Sequence, residues 1–447
     1  MKVIKLQEGG SGYEIEQIKQ GMSLFADILS VKMAEKTKEV FGKALTPMES
    51  VKRIISDVRE KGDSAIAHYS DKFEGVSLSA NDFRVKEEEI EEAYEKVSVD
   101  FLRAIRNARE NIKVFQEHIR VREPEPFSSK GTRITVTYDP IENVGLYIPG
   151  GSASYPSTVL MNAIPAKVAG VKNISVVSPP GRDGSLSPER LVACRESEVD
   201  EIYKIGGVHS IAALAFGTET VGKVDKIVGP GNIYVTLAKK EVFGHVGIDI
   251  LAGPSEVLII ADDSANVAFI AADLLSQAEH APGISILVTD SERFASDVLR
   301  ETGRQLLNMP GSDSIQESLD KFGFIIITKD LEEAIAVSNT LAPEHLQIVT
   351  QNDERVLLGI KHAGAIFLGP YSPVAVGDYI AGPSHVLPTG STARFFSGLS
   401  VNDFLKRTSI MTNSRHDLEM LADDIITISE AEGLVAHAKS VRVRVEK

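Results

Sequence analysis

The 447-residue sequence predicts an α/β protein made of two units with largely parallel sheets, with helical segments before and after them. Two observations carry the α/β assignment. From Asn143 onward, short apolar runs (VGLYIP, ISVVSP from Ile174, EIYKIG from Glu201, KIVGPG from Lys226) alternate with helical segments near 157–169, 188–197 and 209–216. Such alternation implies parallel strands covered by helices. The rhythm restarts after Asp249, where EVLIIAD, ISILVTD, FGFIIIT, LQIVT and AIFLG alternate with helices around 265–279, 291–308, 330–340 and 352–360. Two comparable units are compatible with an ancient duplication, although no direct repeat is visible.

The flanking elements follow from local signals. Residues 1–45 are charge-rich, helical in pattern and poor in apolar volume, so they are expected to pack on another element. Thr46, Pro47 and Glu49 form a capping box with proline at the first helical position; Val51, Ile54, Ile55 and Val58 then share one face and Gly62 ends the helix. Helices are expected over 86–97 and 98–118, and a strand over 132–138 after Pro124 and Pro126. After Gly369 regular patterning stops for about thirty residues, GPYSPVAVGDYIAGPSHVLPTGSTARFFSGLS; such a stretch is usually either functional or disordered, and Asp378, His385 and several apolar residues favour an ordered, functional loop. From Val401 the pattern returns to helix, over 402–406, 415–422 and 429–440.

Composition bounds the function. Apolar residues make up 43% and charged residues 25% of the chain, as in a globular protein. The net charge of −15, without a dense Lys/Arg block, disfavours nucleic acid as a partner. Cys194 is the only cysteine and reads as a small core residue; an internal disulfide and a cysteine cluster for zinc are excluded. No run approaches the ~20 apolar residues that span a bilayer, and the first residues lack the apolar core of a signal peptide. The expectation is a cytoplasmic, multi-domain protein with no membrane partner.

Several constellations could carry chemistry. In LLSQAEHAP, Gln277 and His280 stand three residues apart at a helix end, on one side of a turn. The pair suits one metal ion or, more commonly, a solvated or capping role. Six of the ten histidines fall in residues 280–447, and Cys-free sets of His, Gln and Asp suit zinc or another borderline divalent ion. Glu344 and His345, before the LQIVT strand, are either acid/base groups or a surface pair. GGSASYP from Gly150 and GPGN from Gly229 are glycine turns between strand and helix; each offers backbone N–H groups to an anion or is simply a tight loop. Neither is a G-x-G-x-x-G fingerprint. Ser255, in GPSE, precedes a buried strand, and Lys239 and Lys240 read as the solvated face of a helix.

Taken together, the runs VGLYIPGGSASYPSTVLMNAIPAKVAGV, GGVHSIAALAFGT, VGPGNIYVT, LAGPSEVLIIAD, SQAEHAP, APEHLQ, GDYIAGPSHVLPTGSTARFFSGLS and AEGLVAH, in this order over about 45–440, resemble the histidinol dehydrogenase family. The resemblance implies oxidation of L-histidinol to L-histidine, the last step of histidine biosynthesis, in two steps through bound L-histidinaldehyde with two NAD+. It implies Zn2+ held by Gln277, His280, Asp378 and His437, the last from the neighbouring subunit of an obligate homodimer. Glu344 and His345 fall on the proton-transfer positions. Ser255 and Glu432 fall on substrate contacts, beside His345 and the zinc ligands, and Tyr147 and Asn232 on NAD contacts. His209 departs from the pattern, standing where the family commonly has a Gln that touches the cofactor; an imidazole is shorter and titratable. The resemblance further implies two incomplete Rossmann-like α/β units with helical N-terminal and C-terminal extensions: an extension at 1–45, a catalytic unit from 46–142 and 255–398, an NAD unit at 143–254, and a tail at 399–447 that reaches the partner's site. Rival readings are a relative oxidising another amino or sulfonated alcohol with the same chemistry, and an inactive metal-binding scaffold.

Overall fold

The computed structural model describes the whole chain except residues 7–10, 24–30, 130, 152, 281–282, 308 and 447. Parts of the expected N-terminal helical stretch, of the LLSQAEHAP run and of the glycine turn after Gly150 therefore lie outside the described residues. Its strands are β1 (Lys2–Lys5), β2 (Phe127–Ser129), β3 (Thr132–Pro140), β4 (Asn143–Tyr147), β5 (Asn173–Val177), β6 (Glu201–Tyr203) and β7 (Lys226–Val228). They continue as β8 (Gly247–Ile248), β9 (Ser255–Ala261), β10 (Gly283–Thr289), β11 (Gly323–Ile327), β12 (His345–Val349), β13 (Ala365–Leu368) and β14 (Leu405–Thr412).

These build two parallel sheets, as the alternation predicts. The first has the order β6-β5-β4-β7-β8, the second β1-β11-β10-β9-β12-β13. All neighbours in both are parallel. Every residue of β10 is buried, which is why it reads as one continuous apolar run: helices cover both of its faces.

The predicted capping box is present. Thr46 accepts from the Glu49 N–H, Glu49 answers on the Thr46 N–H, and helix Pro47–Lys61 ends at Gly62 with φ 54°. Its apolar face (Val51, Ile54, Ile55, Val58) shares a core with Ile211, Leu214 and Val235 of helices Gly207–Phe216 and Ile233–Val242. Helix Val99–Ile119 packs on helix Pro156–Ala169. Helices of 46–142 thus bury apolar faces against helices of the first sheet. Asn111 and Gln116 do reach across to the backbone at Ile380 and Gly382.

Four local expectations are corrected. The N-terminal stretch opens with β1, which adds to β11 with Lys2 opposite Phe324. The expected helix at 402–406 is a single 3-10 turn, Val401–Phe404, followed by β14, which pairs antiparallel with β3. Within the irregular stretch, Val374–Tyr379 forms a short helix. At the C-terminus one long helix, Arg415–Ala431, is separated from a second, Val435–Val445, by a turn in which Gly433 takes φ 76°. Helix Ser312–Phe322 had no counterpart in the sequence reading.

Candidate active site

In an open parallel sheet, a ligand crevice forms where strand order reverses. In the first sheet the reversal lies between β4 and β7, so the segments after Tyr147 and after Val228 part at its carboxyl edge. In the second sheet it lies between β9 and β12. Residues 249–254 connect the end of β8 to the start of β9. This short connection leads from the carboxyl edge of the first sheet to the amino edge of the second, so the chemistry-bearing residues of the second sheet open β9 and β12 rather than close them.

At that edge a buried polar network forms. The Ser255 hydroxyl donates to Glu344 Oε2 at 2.7 Å, and the Glu256 N–H donates to the same oxygen at 2.9 Å. Helix Val267–Ala278 runs back from the end of β9 and delivers Gln277, whose Nε2 donates to Ser255 Oγ at 3.0 Å. The Glu344 N–H and the Gly390 N–H both donate to Glu256 Oε1, at 3.1 and 3.2 Å. His345 Nδ1 lies 3.1 Å from the Glu256 carbonyl and 3.5 Å from Glu344 Oε2; its Nε2 lies 3.5 Å from Asp378 Oδ1. Close approach requires glycine at 364, where a Cβ would stand 2.6 Å from the Glu344 carbonyl.

The electrostatics follow from this geometry. Burial works against a charged His345, but the Glu344 and Asp378 carboxylates outweigh it and push the imidazole up to about 9. Burial raises Glu344, partly offset by His345. Burial also opposes an ionised Asp378, yet hydrogen bonding and charge from His345, with the fields of His385 and His280, hold it below the usual carboxylate value. Glu256, fully buried, is pushed well above the usual range by burial and by Glu344. The sequence reading gave Glu256 no role. The available signal was one acidic residue heading a strand that is otherwise apolar. His385, seen in sequence but likewise unassigned, holds the Asp378 carbonyl through Nδ1 at 2.9 Å.

Of the expected metal ligands, Gln277 and Asp378 belong to this network, and the field of His280 reaches Asp378. With the Gln277 nitrogen committed to Ser255, its oxygen is the free donor. Amide oxygen, imidazole and carboxylate together suit a borderline divalent ion. Among the described residues no three His, Cys, Asp or Glu side chains are grouped to hold a metal ion. Glu432 and His437 are not brought to this network; both are exposed in the C-terminal helix pair, whose two members pack mainly on each other.

At the first sheet, Tyr147 ends β4 and is 3% exposed, with the Gly207 backbone beside its hydroxyl. His209 turns inward. It is 1% exposed, with Nε2 3.2 Å from Ser70 Oγ and 3.6 Å from Glu74 Oε1, and burial lowers it to about 3, so the contact with Glu74 is not an ion pair. Asn232 is exposed, and its Oδ1 caps helix Ile233–Val242 by accepting from the Tyr234 and Val235 N–H groups at 3.0 and 3.2 Å. Lys240 is exposed as expected, but Lys239 is buried and paired with Asp249, correcting the solvated reading.

The sequence model of the histidinol dehydrogenase family matches residues 40–445. The chain is 45% identical over 429 residues to a histidinol dehydrogenase of Rhodopirellula baltica, covering 96% of this chain and 93% of the relative. It is 51% identical over 397 residues to one from Bacillus licheniformis, covering 89% and 93%. The crystal structure of histidinol dehydrogenase from Elizabethkingia anophelis superposes with a TM-score of 0.89 at 36% identity, covering 100% of this chain and 98% of that one. With the family pattern extending over nearly the whole sequence and the fold superposing end to end, the chain belongs to the histidinol dehydrogenase family.

Proposed function

We propose that the chain oxidises L-histidinol to L-histidine in two successive NAD+-dependent steps through bound L-histidinaldehyde, the last step of histidine biosynthesis. The observation that carries this reading is the network in which Ser255, Glu256 and Glu344 fix His345 against Asp378. Gln277, His280 and Asp378, with His437 of a second copy, would hold Zn2+, which when bound supplies a cationic anchor for the substrate's imidazole and amino nitrogens. NAD+, bound beside Tyr147 and Asn232, supplies the hydride acceptor.

The chain's own residues then do the following. His345 Nδ1 donates to the Glu256 carbonyl, so Nε2, which faces Asp378 Oδ1 at 3.5 Å, is the atom left to exchange protons. In the first step the neutral form of His345, increasingly populated as pH rises toward about 9, takes the proton of the carbinol oxygen. In the second, Glu344 with His345 activates water to hydrate the aldehyde, whose oxidation gives the carboxylate. Ser255 and Glu432 orient the substrate, the latter from the second copy.

A homodimer is the assembly this reading requires. Its support is the C-terminal arm: Met411, Met420, Ile428, Val435 and Val443 are all more than half exposed, an apolar surface out of place on a solitary chain. No described helix is long and apolar enough to cross a membrane; the site of action in this reading is the cytoplasm. The test is NADH formation by the zinc-loaded protein with L-histidinol against other amino alcohols and sulfonated alcohols. Turnover of another alcohol in preference to histidinol would overturn the substrate assignment.

A further inference from the structure

Gly229 closes β7 and begins the loop that carries Asn232. It adopts φ 111°, and a Cβ there would stand 2.3 Å from the Tyr147 carbonyl oxygen. The loop after β7 therefore runs in direct contact with the end of β4, and something must hold it there. Two charged residues outside the catalytic network do so. Lys239 Nζ donates to the Gly229 carbonyl at 2.9 Å, while the Gly229 N–H donates to Asp249 Oδ2 at 2.7 Å. Lys239 and Asp249 are ion-paired to each other, with side chains 3% and 2% exposed. One buried ion pair thus takes up both backbone groups of a single glycine.

The pair also spans three elements. Lys239 lies on helix Ile233–Val242, which Asn232 caps. Asp249 lies in the connection that leads into Ser255. Thr236 of the same helix donates to the Ala252 carbonyl in that connection at 2.9 Å. An apolar pair of the same volume would stabilise the core as well or better, but it would leave the Gly229 N–H and C=O without partners. The charges are explained by what they fix.

We propose that Lys239 and Asp249 are positioning residues for the dinucleotide: an ion-paired clamp that fixes the Gly229–Asn232 loop against Tyr147 and thereby sets affinity for NAD+ without touching substrate. This rests on the reading of Tyr147 and Asn232 as dinucleotide contacts. The test uses the zinc-loaded enzyme and three variants. D249N keeps an oxygen for the Gly229 N–H but removes the charge. The double variant K239M/D249L removes both charges, so neither is orphaned. N232A reports on the cofactor contact itself.

The expected result is a rise of about tenfold in KM for NAD+ in the double variant, the equivalent of one charge-assisted hydrogen bond, and a smaller rise in D249N. KM for L-histidinol stays within about twofold in both, since only the dinucleotide side is loosened. If N232A raises KM for NAD+ while D249N and the double variant do not, the clamp is overturned and the cofactor reading stands. If N232A leaves KM for NAD+ unchanged, the cofactor reading falls and the clamp with it. Equal rises in both KM values, accompanied by a lowered melting temperature, would mark the pair as purely structural and overturn the proposal.

Discussion

Replacing His345 with Asn probes the acid/base assignment most sharply. The imidazole makes two separable contacts: Nδ1 to the Glu256 carbonyl at 3.1 Å and Nε2 facing Asp378 at 3.5 Å. An Asn amide keeps a donor for the carbonyl, so the cost to stability is about 1 kcal/mol. It has no group that accepts a proton at the Nε2 position. General acid–base catalysis contributes roughly 10²–10⁴-fold, so the barrier should rise by about 3–5 kcal/mol. The assay is NADH formation at saturating histidinol and NAD+, with bound zinc measured on the same sample. Turnover should fall at least about a hundredfold while zinc content stays at the wild-type level, because His345 is outside the proposed donor set. Turnover within about threefold of wild type, in a protein with full zinc, would refute the reasoning.

Three further outcomes are expected. E344Q should slow the second oxidation more than the first, since Glu344 is assigned to hydration; rapid-quench analysis should find accumulated aldehyde, and equal slowing of both steps would count against that role. H437A should lower zinc content without unfolding the exposed C-terminal helix, and full zinc with normal activity would remove the fourth ligand. Glu74, pushed up to about 8 chiefly by burial and with Oε2 unpartnered, binds its proton more tightly folded than unfolded. Its contribution is fully present below its usual unfolded value of about 4.5 and is lost as pH rises through about 8, on the order of 2–4 kcal/mol. E74Q should therefore melt at nearly the wild-type temperature at pH 5 and above it at pH 8; equal melting at both would contradict a buried, protonated Glu74.

The parallel strands were legible because burial on both faces writes them as short apolar runs, as in ISILVT of β10. What was hidden depends on partners distant in sequence. β1 is four residues, three of them exposed, and is a strand only because β11 lies beside it. β14, LKRTSIMT, is exposed along nearly its whole length, so no periodicity marks it; its ladder with β3 defines it. Lys239 looked solvated beside Lys240 because nothing in the sequence announces that Asp249 folds back onto it. At the site, Gln277, Glu344 and His345 stood out by residue type and spacing. Glu256 did not, since a buried carboxyl heading an apolar strand has meaning only once Glu344 and Gly390 are seen donating to it.

The measurement that bears most directly on the central claim is the amount of NADH formed per L-histidinol consumed to completion, before and after chelation of zinc. Two NADH per substrate are expected, with activity lost on chelation and restored by added zinc. One NADH per substrate would mean that oxidation stops at the aldehyde and would contradict the role given to Glu344. No NADH from histidinol, with zinc still bound, would contradict the substrate assignment and point to another alcohol.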